Sequence, residues 1–353
     1  MRGASFAAGA ALLGLLPLLA GCLGETPVEP GEPGLGIRLR AAPSVLDLTW
    51  VPGTQVLVFR TAVTASTSCS LRAFDLRDHS EITLDTSCTR TPFFAGGVLR
   101  GIAVSGDGGV LAYQLGVAAP EPFGSVARVI SPWGGEPREV ARASLLWAAL
   151  AISADGRRLA YSRTFGDTVT VLDLQTADTI TFQGGKPLAF SPDGSELLFQ
   201  VGPPSVWRRV LATGAEQRLQ LGLSVTDIPG PMVWDSRGLW LYVDRFDGGA
   251  VVRNLTAGTS VVVAEYEPLK RVREVTWLRD QRRVGFWEER CSSSGSAGSC
   301  EVTETRLIVA DRDSGERTVV ASTVGVGGPM AFAPDSRSVV YQLDGALYMS
   351  RVP

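Results

Sequence analysis

Few residues in this chain are suited to covalent chemistry. His79 is the single histidine, so a Ser-His-Asp arrangement would have to run through it. No Gly-x-Ser-x-Gly accompanies it, and no glycine-rich phosphate loop occurs. His79 follows Asp78 in what reads as an outer turn, where a solvated role is expected. The five cysteines, Cys22, Cys69, Cys88, Cys291 and Cys300, contain no Cys-x-x-Cys. With one histidine they exclude a His-rich or Cys-rich metal centre, and no cofactor is expected. The 33 Lys+Arg against 36 Asp+Glu leave a net charge of −3, too balanced for an electrostatic nucleic-acid binder.

Recognition chemistry is what remains. Arg100, Lys186 and Arg273 stand at one register, each four residues before the aromatic position of a repeat described below. Trp147 lies one residue outside the same register. Three cations around one rim suit an anionic peptide tail or an acidic polymer. One step along stand Asp47 and Glu274, a sparse pair of carboxylates for a carbohydrate-active enzyme.

The elements that position these residues are repeats. Leu188-Ala-Phe-Ser-Pro-Asp-Gly-Ser-Glu-Leu-Leu-Phe199 is the clearest copy, and Leu150 to Tyr161 nearly matches it. Ile102 to Tyr113 and Met330 to Tyr341 follow the pattern. Leu48 to Phe59, Met232 to Val243 and Val275 to Trp287 are weaker copies. Each reads as strand, turn, strand: Pro sets φ, Asp bonds the backbone two residues on, and Gly takes positive φ. Third and fourth strands follow, such as Val169–Leu174 and Asp178–Phe182.

The turn positions are Gly53, Asp107, Asp155, Asp193, Arg237, Asp280 and Asp335, separated by 54, 48, 38, 44, 43 and 55 residues. Such periods are those of propeller blades. The 18 residues after Asp335 and the 17 from Gly36 to Gly53 make up one further short repeat. The expected fold is therefore an all-β, seven-bladed β-propeller of four-stranded blades, with the last blade closed by Ile37–Ala41. Six blades is the alternative, should the first copy be irregular. Trp50, Trp234 and Trp277 share their phase with Phe190, Phe332, Ile152 and Val104, which marks them as core rather than a stacking platform.

Before the repeats, Arg2 and the apolar stretch Ala7 to Leu19 form a signal-peptide pattern too short to span a bilayer. It ends in Leu19-Ala20-Gly21-Cys22, which resembles the bacterial lipobox. That resemblance implies removal of residues 1–21 and lipidation of Cys22; an ordinary secretory peptide with a chance cysteine is the alternative. The absence of Asp after the cysteine points to the outer membrane or cell surface. Residues 22–36 read as a Pro/Gly-rich tether, and 37–353 as the propeller. Cys69 and Cys88 are symmetric about the turn at Asp78 and His79, and Cys291 and Cys300 about Gly295 and Ser296. Both spacings suit cross-hairpin disulfides in an oxidising compartment.

Phe190-Ser-Pro-Asp-Gly194 resembles the TolB-like, WD-like repeat of bacterial β-propellers, over about residues 37 to 353. The tether precedes the first blade where TolB carries an α/β domain, and Trp234-Asp235 is the sole Trp-Asp pair. The resulting expectation is a monomeric, membrane-anchored scaffold that binds a protein or envelope polymer without catalysis. A carbohydrate-active enzyme and a structural subunit of an envelope complex are the alternatives.

Overall fold

The computed structural model describes residues 35–41, 44–62, 68–89, 101–117, 124–143, 150–162, 168–202, 205–222, 228–235, 238–245, 249–294 and 300–353. These residues contain strands and turns and no helix. They form seven four-stranded antiparallel blades in a ring. The innermost strands, blade one to blade seven, are Val45–Trp50, Ile102–Val104, Leu150–Ile152, Lys186–Phe190, Ile228–Asp235, Lys270–Trp277 and Gly327–Phe332. Each touches the next, and the seventh touches the first, so the ring is closed. Blades one and two are also joined at their edges, where Thr89 pairs with Gly116.

Closure uses the two ends of the chain. Blade seven consists of Gly327–Phe332, Ser338–Leu343, Ala346–Arg351 and, outermost, Ile37–Ala41. Ile37 pairs with Met349 and Ala41 with Ala346. Leu35 is buried in the core between blades six and seven. Its carbonyl accepts the hydroxyl of Tyr341, itself fully buried. An apolar side chain and a paired carbonyl together hold Leu35 against the ring.

In sequence, Leu159 and Tyr161, or Val56, Val58 and then Arg60, suggest second strands that alternate between faces; the structure differs. Val56–Phe59, Leu111–Tyr113, Leu197–Phe199, Leu239–Val243 and Val339–Tyr341 are runs of consecutive buried residues. A strand covered by neighbouring blades on both faces has no solvent side, so it reads as a continuous apolar run. The packing requires a few close approaches. At Gly285 an added Cβ would lie 2.2 Å from Phe332 Cζ, so only glycine lets blades six and seven meet there.

The tight turns sit on one face of the ring, here called the turn face. They connect first to second and third to fourth strands. Asp193 shows their logic. Its Oδ1 accepts the backbone N–H of Ser195 at 3.0 Å and the Ser191 hydroxyl at 2.6 Å. Ser191 Oγ in turn accepts the N–H of Glu196 at 2.9 Å. Gly194 takes φ +70°, as the turn demands. Ser105 with Asp107 and Ser153 with Asp155 repeat the arrangement. Asp280 and Asp335 accept the N–H two residues on in the same way. The turn aspartates therefore serve their own backbone.

The opposite face, here called the loop face, carries the connections from second to third strands and from blade to blade. Between blades, polar clasps supplement the apolar core. Nε1 of Trp50 donates to Ala331 O at 2.9 Å, Trp277 to Pro231 O at 2.9 Å, and Trp287 to Gly328 O at 2.8 Å. These bonds carry the ring nitrogens to a neighbouring blade, which bears out the core reading for Trp50 and Trp277. Arg312, fully buried, reaches from blade six to Asp235 of blade five at 2.5 Å and lies 3.9 Å over the Trp240 ring. The out-of-place Trp234-Asp235 pair thus supplies an anion to a buried guanidinium.

The Ser191 and Ser195 bonds hold the Asp193 carboxyl down to about 2. A depressed carboxyl contributes stability that is present above its unfolded value, about 3.9, and lost as pH falls through the folded one. Asp193→Asn is expected to lower the thermal midpoint at pH 7. Its difference from the parent chain should shrink as pH is taken from 4 to 2. Thermal melts across that range, with no such convergence, would contradict the turn assignment.

Candidate functional site

The central channel holds a cavity of about 300 Å³ walled mainly by the inner strands of blades one, six and seven. The strands run along the axis, so residues line it in levels. Asp47 and Glu274 stand toward the loop face. Trp50, Thr276, Trp277 and Phe332 lie near the middle. Pro52, Arg279, Gln281 and Pro334 close in at the turn face. In sequence, shorter residues stand between the large ones of each inner strand and suit a crowded axis; of these, Thr49, Val233, Thr276 and Ala331 line the wall.

Both sequence-identified carboxylates reach this one cavity, although blade seven stands between their blades. Asp47 is buried and ion-paired with Arg60, and its Oδ1 accepts the N–H of Gly101 at 3.4 Å. Arg60 donates in addition to Gln114 O of blade two at 3.4 Å. Asp47 is therefore part of the junction between blades one and two as well as of the wall. Glu274 adopts φ +51°, at a bulge where the pairing of Arg273 and Thr276 with the second strand shifts.

Of the three cations expected on one rim, two lie within the described residues. Lys186 opens the inner strand of blade four and pairs with Gln200. Arg273 lies at the loop-face end of blade six, 41 % exposed, with Nη1 3.7 Å from Glu289 Oε1. Arg100 and Trp147 lie outside the described residues.

Blade six contributes charges that strand patterning did not single out. Glu289 is fully buried and receives Arg271 Nε at 2.5 Å on its other oxygen. Two guanidinia thus share one carboxylate. On the opposite sheet face, buried Lys270 sits 3.1 Å from Glu267 and 3.6 Å from buried Glu288, which also pairs with Arg317. The Lys270 bond pulls the Glu267 carboxyl below its usual range. Register predicts such neighbours only once strand pairing is known: Arg271 faces Glu289 directly.

A second group between blades one and two was also missed. Asp85 is buried and accepts Tyr113 Oη at 2.7 Å and Arg128 Nη1 at 2.9 Å. Burial, then the Asp85 bond, pushes the Tyr113 hydroxyl well above its ordinary value. In blade five, burial raises the Asp244 carboxyl, against the lowering effect of the Tyr242 hydroxyl bonded to it at 2.7 Å.

The cysteines mark the loop face. Cys69 and Cys88 are direct register partners at the loop-face end of blade one. Directly opposed antiparallel residues have Cα atoms about 4.5–5.5 Å apart, within the range of about 4.4–6.8 Å that a disulfide spans. In blade six the hairpin Arg283–Ser294 and Cys300–Asp311 rises on the same side. Its register shifts, so along the backbone Cys291 pairs with Val302 and Cys300 with Ser294. His79 is exposed in its outer turn at φ +57°, edge-on to Phe74 at 6.0 Å, as expected of a turn residue.

Comparison with known proteins follows the fold. No protein-family model matches the chain, and no curated protein matches it. Solved structures do. An oligogalacturonate lyase from Vibrio parahaemolyticus is similar, with TM-score 0.62 and 12% identity, over 90% of this chain and 93% of that one. The C-terminal WD40 domain of Sif2 is similar at TM-score 0.60 and 9% identity, over 92% and 100%. TolB from Acinetobacter baumannii is similar at TM-score 0.50 and 16% identity, over 82% and 77%. At these identities the likeness is one of fold. It agrees with the TolB-like and WD-like character of the repeats.

The shared carboxylate supports a direct check. Glu289→Gln keeps the shape but leaves two guanidinia without their anion. The expected loss is about 1–3 kcal/mol, below the full range for a broken buried pair because both arginines reach solvent. Chemical denaturation of the variant measures it; an unchanged midpoint would remove Glu289 from the rim's support.

Proposed function

We propose that the protein is a lipid-anchored, extracytoplasmic recognition scaffold. Its channel and loop face bind an acidic protein segment or envelope polymer without turning it over. The observation that carries the reading is the blade-six rim, where Arg271 and exposed Arg273 share a single buried carboxylate. An exposed guanidinium held at a channel mouth attracts an anionic chain and orients it. Arg100, Lys186 and Trp147 complete the rim in this reading. The protein acts as a monomer, on the periplasmic face of the outer membrane or on the cell surface.

Cys22 carries the lipid in this proposal, and the resemblance of residues 19–22 to the lipobox supports it. Several acyl chains, each buried CH₂ contributing about 0.8 kcal/mol, would hold the chain at a membrane surface. Disulfides Cys69–Cys88 and Cys291–Cys300 staple the loop face, each contributing about 3 kcal/mol. The direct register of Cys69 with Cys88 supports the first. Masses of the alkylated chain before and after reduction test both.

A second reading, a carbohydrate-active enzyme, is favoured by one observation. Asp47 and Glu274 line the same cavity, and the fold is similar to that of a lyase. Against it, Asp47 is committed to Arg60 and Gly101.

Three experiments decide. Cys22→Ser should move the chain from the membrane fraction to the soluble fraction; retention in the membrane would refute the lipid anchor. The chain with Arg100, Lys186 and Arg273 reversed to Glu should lose at least tenfold in capture of its partner from detergent-solubilised envelopes. Undiminished capture would sink the rim. Binding to a glycan array, followed by cleavage of the bound glycan, would favour the enzyme.

A further inference from the structure

Arg279 lies in the first turn of blade six, two residues past the inner strand Lys270–Trp277. Its Nη2 donates to the carbonyl of Gly106 at 3.2 Å. Gly106 belongs to the corresponding turn of blade two. Blades six and two are not neighbours, for blades seven and one stand between them on the shorter way round. A hydrogen bond between their inner turns must therefore cross the mouth of the channel. The other hydrogen bonds between blades described above join neighbours in the ring.

Both ends of this bond are held. At Gly106, an added Cβ would meet Ala154 at 3.0 Å, and the next N–H, of Asp107, donates to Ala154 O at 2.9 Å. The acceptor is thus fixed to blade three. On the donor side, Leu278 is buried, and the Asp280 N–H donates to Ser336 Oγ of blade seven at 2.9 Å. The two turns are pinned to their neighbours, so the movable part is the Arg279 side chain. That side chain is exposed, lines the channel cavity, and has no carboxylate within ion-pair distance among the described residues.

We propose that Arg279 is a displaceable bar across the turn-face mouth, which makes the channel a blind site reached from the loop face. Arg279 then determines how a ligand gains access. A single hydrogen bond to an exposed donor is weak, enough to bias the mouth shut without locking it. The inference needs no identified ligand and stands or falls separately from the proposed function.

Thiol reporters in the full chain test it. Thr276→Cys places a thiol on the channel wall three residues above the bar, and Leu46→Cys places one near the loop-face end. Labelling with N-ethylmaleimide is followed by mass, with the native cysteines' background subtracted. Adding Arg279→Ala should raise the rate at position 276 several-fold and leave position 46 unchanged. Arg279→Lys, which keeps the charge and loses the planar fork, should give an intermediate rate at 276. Equal rates at 276 with and without Arg279 would overturn the proposal. So would a matching rise at position 46, since it would mean that the whole ring had loosened.

Discussion

Every blade of this ring is apolar on both faces, and that constraint governs the rest. Leu239–Val243 and Val56–Phe59 are buried throughout, so no blade could stand at an exposed end of a stack. A sheet that must be covered twice is satisfied only in a closed circle or with capping elements. The chain closes the circle by lending Ile37–Ala41 to blade seven. The core between blades seven and one then brings Trp50, Leu57 and Phe59 against Ala331, Val340 and Leu347. Leucines and valines could achieve that much burial in several registers. The tryptophan Nε1 bonds to carbonyls of the neighbouring blade select one, because each unpaired N–H would cost more than its pairing contributes.

Polar groups follow the same geometry. Within the turns, bonds are local: a serine, an aspartate and a glycine within four residues complete the unit. Between blades they are remote. Arg312 meets Asp235 across 77 positions, and Arg279 meets Gly106 across 173. The turn face is thus made of self-sufficient local units tied together by a few arginines. At the loop face, charge is concentrated on blade six, where the long hairpin brings Glu288 and Glu289 under Lys270, Arg271 and Arg273.

That division also explains what could be read in advance. The period of the Asp-Gly turns, the small residues near the axis and the split last blade all arise from short-range patterns that recur. They led to seven blades and to the opposed positions of Cys69 and Cys88. The alternation expected in second strands failed, because the pattern of a half-solvated sheet does not apply to one covered twice. Charged residues were the least legible. Arg273 was placed on a rim by register, yet its partner Glu289 sits on the next strand, in a bulged pairing that no spacing announces. The shift in the blade-six hairpin is of the same kind: a bulge moves Cys291 and Cys300 out of direct opposition, although their spacing is symmetric.

The outermost strand of blade seven has a mechanical consequence. Residues 1–34 join the ring at Leu35, on the turn face, and Ile37–Ala41 runs from there along blade seven toward the loop face. A pull on the preceding segment acts along the strand axis, so the bonds to Ala346–Arg351 are loaded together in shear rather than opened one at a time. The Leu35 carbonyl, held by Tyr341, takes the first share. The strand that closes the circle is therefore also its load-bearing seam, and traction strong enough to strip it would expose an edge of blade seven and open the ring.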